Sequence, residues 1–192
     1  MPDPNPAALD FLLTRRSRPA KTLAAPWPAR DALLPLLTAA ARTPDHGKLE
    51  PWRFIVLSGA APMRLAALAK RIGTAQGREA EQVAKMADQF TRSGLCVAVI
   101  SAPKPSPKIP QIEQVHSAGA VCLALLNAAL AAGWGANWLT GWGAHDRDFC
   151  TEGLGLAPHE TVAGFIHIGT ETSAPPDRPR PDLGAITDWV QA

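Results

Sequence analysis

The run Ala118-Gly-Ala-Val-Cys-Leu-Ala-Leu-Leu-Asn-Ala-Ala-Leu-Ala-Ala-Gly133-Trp-Gly-Ala-Asn-Trp-Leu139 decides how this chain is read. From Ala118 to Ala132 it is almost entirely Ala, Val, Leu and Cys, so the helix it predicts, from about Ile112 to Ala132, is expected to be the central buried one. Gly133 supplies the stop, and Trp134 to Leu139 then reads as a strand. Upstream, Leu95 to Ile100 is apolar on successive residues, which predicts a strand buried on both faces. A loop holding Pro103, Pro105, Pro107 and Pro110 separates that strand from the long helix.

Outward from this centre the elements alternate. Trp52 to Leu57 is a short β-favouring run closed by Ser58-Gly59, and Thr161 to Ile168 is the last clear strand. Asn5-Pro6 suits an N-cap and first helical residue. Leu9, Leu12 and Leu13 share one face of a helix that ends near Arg15. A second helix carries Leu33, Leu36, Leu37, Ala40 and Ala41, with Pro35 awkward unless the helix starts close to Ala32. Pro62 opens a third, Met63 to Ile72, with Gly73 as its stop. Gln76 to Phe90 reads as a more charged, exposed helix, and Asp146 to Glu152 as a short one. A Pro- and Ala-rich linker covers 17–28. The tail from Thr172 is Pro-rich, with a small ordered element near Leu183 to Val190. No repeat or internal boundary interrupts this order, so residues 1–192 are expected to form a single three-layer domain, mixed α/β or α+β.

Composition narrows the classes. The chain has 192 residues, 46% hydrophobic and 19% charged, as globular domains do. A net charge of +2 and the lack of any Lys/Arg-dense stretch argue against a nucleic-acid partner. No apolar run is read as reaching the roughly 18 residues of a membrane span. The start, Met1-Pro2-Asp3-Pro4-Asn5-Pro6, lacks the basic and apolar regions of a secretory leader. Three cysteines cannot all pair within one chain, and Cys96 and Cys122 lie in apolar segments. Reduced thiols and a cytoplasmic location are the expectation.

Most motifs that write chemistry into the chain are missing. Gly133-Trp-Gly135, Gly141-Trp-Gly143 and Gly153-Leu-Gly155 each lack the third glycine of a dinucleotide fingerprint. No G-K-[ST] and no G-x-S-x-G occurs. The histidines at 46, 116, 145, 159 and 167 are never spaced i, i+4 about a Glu, and no Cys pair has C-x-x-C spacing, so no metal is expected. Either a binding module or an enzyme whose cofactor performs the hard step remains.

Three constellations stand out. Arg15-Arg16-Ser17-Arg18 offers guanidinium forks and a hydroxyl suited to a phosphate; cations complementing a helix C-terminus is the plainer alternative. Arg42 and His46 bracket a Pro-Asp turn before Pro51-Trp52, either over a ligand or as turn residues. Trp134 to Gly143 sets three of the six tryptophans among three glycines. Such a stretch admits a flat ligand to the backbone, or simply packs.

Taken in order, these segments resemble the FMN-dependent nitroreductase family, in particular its small NAD(P)H nitroreductase branch. The matching stretches are Arg15-Arg16-Ser17, Arg42 to His46 leading to Glu50-Pro51-Trp52-Arg53-Phe54, Ser117 to Ala120, Gly133 to Gly141, and Gly164 to Thr170. The resemblance implies an α+β fold, with a central mixed β-sheet wrapped by helices, assembled as a homodimer with FMN at the interface. The C-terminal tail would extend onto the partner subunit. By the same resemblance Arg15, Arg16 and Ser17 bind the FMN phosphate and ribityl chain, with Arg42 and His46 contacting FMN from the other subunit. Trp138, Leu139 and Thr140 line the isoalloxazine ring, and Ala128 to Gly133 meets the nicotinamide nucleotide, while Arg178 or Arg180 adds charge. Hydride from NAD(P)H would pass through the flavin to nitroaromatics, quinones or similar electrophiles in ping-pong fashion, with no protein residue as catalytic base. Where relatives often carry Arg after this Trp, the chain has Leu139. That departure leaves open an FMN-binding protein of the same fold without turnover, such as a sensor or carrier; an interaction domain without flavin is the further alternative.

Overall fold

The computed structural model describes residues 3–191; Met1 and Pro2, part of the stretch read for a leader, lie outside the described residues. In chain order the elements are helix α1 (Pro6–Thr14), strand β1 (Leu23–Ala24), α2 (Arg30–Ala40), β2 (Trp52–Ser58), α3 (Ala61–Ala75), α4 (Ala80–Thr91), β3 (Leu95–Ser101), α5 (Gln111–Ala131), β4 (Gly135–Leu139) and β5 (Thr161–Glu171). Asn5 caps α1 as expected, its side chain accepting from the Ala8 amide at 3.1 Å.

The α+β class holds. β5 is the spine of the sheet: it pairs with β3, β4 and β1, while β2 closes the far side of β3. Each of these four pairings is antiparallel, so within one chain the sheet is antiparallel where a mixed sheet was expected. β3 is buried throughout, and its alternation explains the continuous apolar run. Cys96, Ala98 and Ile100 face a core with α3, α4, Phe149 and Leu156. Leu95, Val97 and Val99 face the other core, with α2 and α5.

Several local expectations change. Gly73 does not stop α3 but lies inside it; a Cβ there would stand 2.6 Å from Val83 Cγ2 and 3.2 Å from Trp142. The glycine is therefore a packing requirement. α2 starts at Arg30 and runs through Pro35, which sits in its second turn. α4 is not an exposed helix: Val83, Met86, Ala87 and Phe90 are buried on one face. The segment read as a helix from Asp146 to Glu152 contains a π-type turn, Phe149–Gly153. β1 lies within the supposed linker, and of the tail only Leu183–Ala185 is regular. α5 is, by length and composition, apolar enough to cross a membrane, contrary to the sequence expectation. Ala118, Val121, Cys122, Leu125, Leu126 and Ala129 are nevertheless buried against the sheet and α2, the position of a core helix.

Three apolar surfaces find no cover among the described residues. α1 buries none of its residues, leaving Leu9, Leu12 and Leu13 exposed. Ile112, Val115 and Leu123 of α5 are exposed, as are Leu183, Ile186, Trp189 and Val190 of the tail.

Candidate functional site

The Arg15-Ser17 segment leaves the end of α1 and is sewn to β4. The Arg18 amide donates to the Ala136 carbonyl at 2.8 Å, and Asn137 Nδ2 donates to the Arg18 carbonyl at 2.8 Å. Arg18 also pairs with Glu171 of β5 at 3.1 Å. These bonds bring two predicted segments together: Arg15, Ser17, Trp138, Leu139 and Thr140 line one cleft of ≈ 480 Å³, with Leu123 and Leu126 of α5. A neighbouring cleft holds Arg15 and Arg16 beside Leu130, Gly133 and Trp134.

The electrostatics of the first cleft are unbalanced. Arg15 donates to Ser17 Oγ at 2.9 Å, but its Nε is buried with no partner among the described residues. Burial, then the nearby guanidiniums of Arg180 and Arg16, holds Arg15 below the ordinary arginine range. Among the described residues Arg16 is engaged only with carbonyl oxygens, those of Ser17 and Pro176. The tail thus crosses this corner, and Arg180 reaches the Arg15 carbonyl at 3.5 Å. Among the described residues Arg178 makes no comparable contact; its amide donates to its neighbour Asp177. A group bearing a phosphate fits here, because it brings the counter-charge and the acceptor that the cluster lacks.

Trp138 lies across Gly164 of β5, where any Cβ would collide with the indole. The glycine thus lets the indole lie against the sheet. Leu139 and Thr140 also form one wall of a third cleft, bounded on the other side by α4. Gln89 of α4 donates to the Thr140 carbonyl at 3.1 Å and so fixes that wall from behind. The α4 residues at this wall were missed in the sequence, where their face was taken for solvent.

Arg42 and His46 are not brought to these clefts within the chain. His46 Nδ1 lies 2.7 Å from Glu113 Oε2 at the start of α5, and Ser117 Oγ donates to the Pro44 carbonyl. Glu113 and Leu126 are thirteen positions apart on α5, about 20 Å at 1.5 Å per residue. Ala128 is half-buried on the last turns of α5, packed against the core shared with α2. Among the described residues no cluster of His, Cys, Asp or Glu could hold a metal. His167 is a satisfied core histidine, 1% exposed, with Nδ1 2.9 Å from Ser93 Oγ. The cysteines at 96, 122 and 150 are buried and unpaired; burial pushes the Cys122 thiol up to about 12 and that of Cys150 to about 11.

Comparison with known proteins is decisive about ancestry: the nitroreductase family pattern matches residues 12–170. The chain belongs to the nitroreductase family. It is similar to the "Putative NAD(P)H nitroreductase YdjA" of Escherichia coli K12, 32% identical over 163 residues, covering 85% of this chain and 87% of that protein. Among solved structures, the nitroreductase-like family protein of Bacillus cereus superposes with a TM-score of 0.83 at 23% identity, over 100% of both chains. A nitroreductase-family structure from Desulfovibrio desulfuricans, described as a complex with FMN, gives 0.73 at 18% identity, over 99% of this chain and 100% of that one. These likenesses to solved structures establish the nitroreductase fold for this chain.

Proposed function

We propose that this chain is an FMN-dependent oxidoreductase that takes hydride from NAD(P)H and reduces nitroaromatics, quinones or a similar electrophile. The observation that carries the reading is the under-compensated Arg15 guanidinium at a cleft whose other wall is the Trp138–Thr140 backbone. That pairing of unmatched positive charge with a flat, open strand end suits a phosphorylated ring cofactor. The family membership and a relative named for NAD(P)H support it.

FMN, when bound, supplies a two-electron carrier that accepts hydride at N5. The protein's own residues bind and orient. Arg15, Arg16 and Ser17 hold the phosphate; Trp138, Leu139 and Thr140 lie along the ring; Leu123 and Leu126 exclude water from it. Ala128 to Gly133 meets the nicotinamide nucleotide. No protein residue needs to move a proton as a catalytic base, in keeping with the missing catalytic motifs.

Residues 1–192 act as one domain, and two copies form the working unit. His46, bound to Glu113, lies about 20 Å along α5 from the cleft of its own chain, and Arg42 lines neither cleft; as FMN contacts the two serve the site of the second copy. The uncovered leucines of α1, the exposed side of α5 and the apolar tail provide the surface for such a homodimer. An exposed apolar area of this kind is uncommon on a monomer. A monomer by light scattering at micromolar concentration would defeat the shared site.

A second reading rests on Leu139. Its apolar side chain stands where a charge would bias the flavin and its acceptor, so an FMN protein of this fold without turnover remains its competitor. The visible spectrum of the purified protein, followed by anaerobic NADPH and NADH, separates them. Flavin bands that bleach support the reductase, bands that persist support the non-turnover protein, and a chain that takes up no FMN refutes both.

A further inference from the structure

Four restraints converge on the turn that carries His46. Ser117 Oγ donates to the Pro44 carbonyl at 3.0 Å and itself accepts from Trp52 Nε1 at 3.2 Å. The Asp45 carboxylate accepts from the Glu50 amide and closes the turn on itself. Gly47 has φ 75°, and a Cβ there would stand 2.5 Å from Ile109 Cδ1, so the proline-rich loop before α5 packs directly on the turn. The fourth restraint is on the imidazole: His46 Nδ1 lies 2.7 Å from Glu113 Oε2, not against its own backbone, the plainer role open to it in sequence. Glu113 and Ser117 stand four residues apart and so share one face of α5. Within the turn Lys48 and Glu50 are held at φ 54° and 47°, the left-handed region that side chains seldom enter. Strain of this kind persists only where the surroundings over-determine it, and it gathers at ligand sites.

We infer that Glu113 is a positioning residue for the flavin site: it keeps the proton of the His46 imidazole on Nδ1, so that Nε2 is presented as an acceptor to a ribityl hydroxyl of FMN. The inference deepens the function proposed above and rests on it, since His46 there meets the FMN of the second copy. The chemistry follows from the donor set. An ionised carboxylate only accepts, so the Nδ1 facing it carries the proton. In the neutral ring the other nitrogen is then left with a lone pair. The His46 side chain is 61% exposed, which leaves that nitrogen open to a ligand. Phosphate oxygens are themselves acceptors and do not answer a lone pair; a hydroxyl, which donates, does. The contacts proposed above account for the phosphate and the ring of FMN and leave its ribityl hydroxyls unassigned. An exposed pair such as His46 and Glu113 contributes little to stability. What it fixes is the tautomer and direction of the ring. A carboxylate in the first turn of α5 suits the helix dipole in any case, but that alone would not bring it to His46.

The test is a double-mutant cycle read by fluorescence titration with FMN, riboflavin and lumiflavin at pH 8.5, together with ring-nitrogen NMR of the FMN-loaded wild-type protein. His46→Ala and Glu113→Ala should each weaken FMN and riboflavin about fivefold, the loss of one neutral hydrogen bond. The double variant should bind no more weakly than His46→Ala, because Glu113 acts through the imidazole. Lumiflavin, which lacks the ribityl chain, should bind all four proteins alike. The NMR spectrum should place the His46 proton on Nδ1. Losses that multiply in the double variant would make Glu113 a structural residue and overturn the inference. So would a loss with FMN but not riboflavin, which puts His46 on the phosphate, a loss shared by lumiflavin, which puts it on the ring, or a proton found on Nε2. Wild-type affinity in Glu113→Ala sinks the inference and leaves the flavin reductase standing. A wild-type chain that takes up no flavin sinks both.

Discussion

Replacing Arg15 with alanine should weaken FMN binding strongly and leave the FMN-free fold almost untouched. In the wild-type chain the guanidinium contributes one bond to Ser17 Oγ at 2.9 Å, worth about 1.5 kcal/mol for a charged donor. Against this stands its buried Nε, without a partner among the described residues, a desolvation cost of about 1–3 kcal/mol. Repulsion from Arg16 and Arg180, which together with burial holds Arg15 below its usual range, adds to that cost. The terms nearly cancel, so the urea midpoint of the FMN-free variant should move by less than about 1 kcal/mol. With FMN the sign becomes clear. A charge-assisted contact to phosphate is worth roughly 1.5–3 kcal/mol, so Kd should rise roughly ten- to hundredfold. The assay is a pair of measurements on one preparation: urea unfolding of the stripped protein, and fluorescence titration with FMN. A variant that loses more than about 2 kcal/mol of stability while keeping the wild-type Kd would show that Arg15 is structural, and the charge argument would fail.

Two further outcomes follow from the packing. Gly73→Ala should destabilise by about 1–3 kcal/mol in urea despite alanine's better helix propensity, because its Cβ would stand 2.6 Å from Val83 Cγ2; a more stable variant would contradict the tight contact. Burial holds His167 down at about 4, so the folded chain keeps it neutral while the unfolded chain takes up a proton near 6.5. Its share of stability is therefore complete above pH 6.5 and falls away toward pH 4. In His167→Leu that part of the pH dependence should vanish, as urea midpoints across pH 4–7 would record.

The centre of the fold was legible because its signals are local and strong. β3 announces burial on both faces by its unbroken apolar run, and α5 by length and alanine content. What escaped depends on contacts between distant segments. β1 is two residues long and exists only because β5 lies beside it. Gly73 looked like a helix stop because nothing nearby in sequence reveals Trp142 pressing on it. The exposed reading of α4 followed its charges and overlooked Val83, Met86, Ala87 and Phe90 at helical spacing. The candidate site divides in the same way. Arg15 to Ser17 and Trp138 to Thr140 could be picked out singly by composition, but only the Arg18 and Asn137 bonds put them in one cleft. Arg42 and His46 had the right chemistry in sequence, yet within one chain neither lines the clefts, and His46 binds at the opposite end of α5.

β5, the spine of the sheet, is also its last strand to be synthesised, which gives the chain a schedule. Until Thr161–Glu171 emerges, β1 and β4 have no partner in the sheet and β3 has only β2. The nascent protein therefore carries the open edges of β1, and later of β3 and β4, until the strand that pairs them is made, the condition that invites misassociation. Completion then comes in one late step, as a single strand zips against three others and makes the sheet from both sides at once.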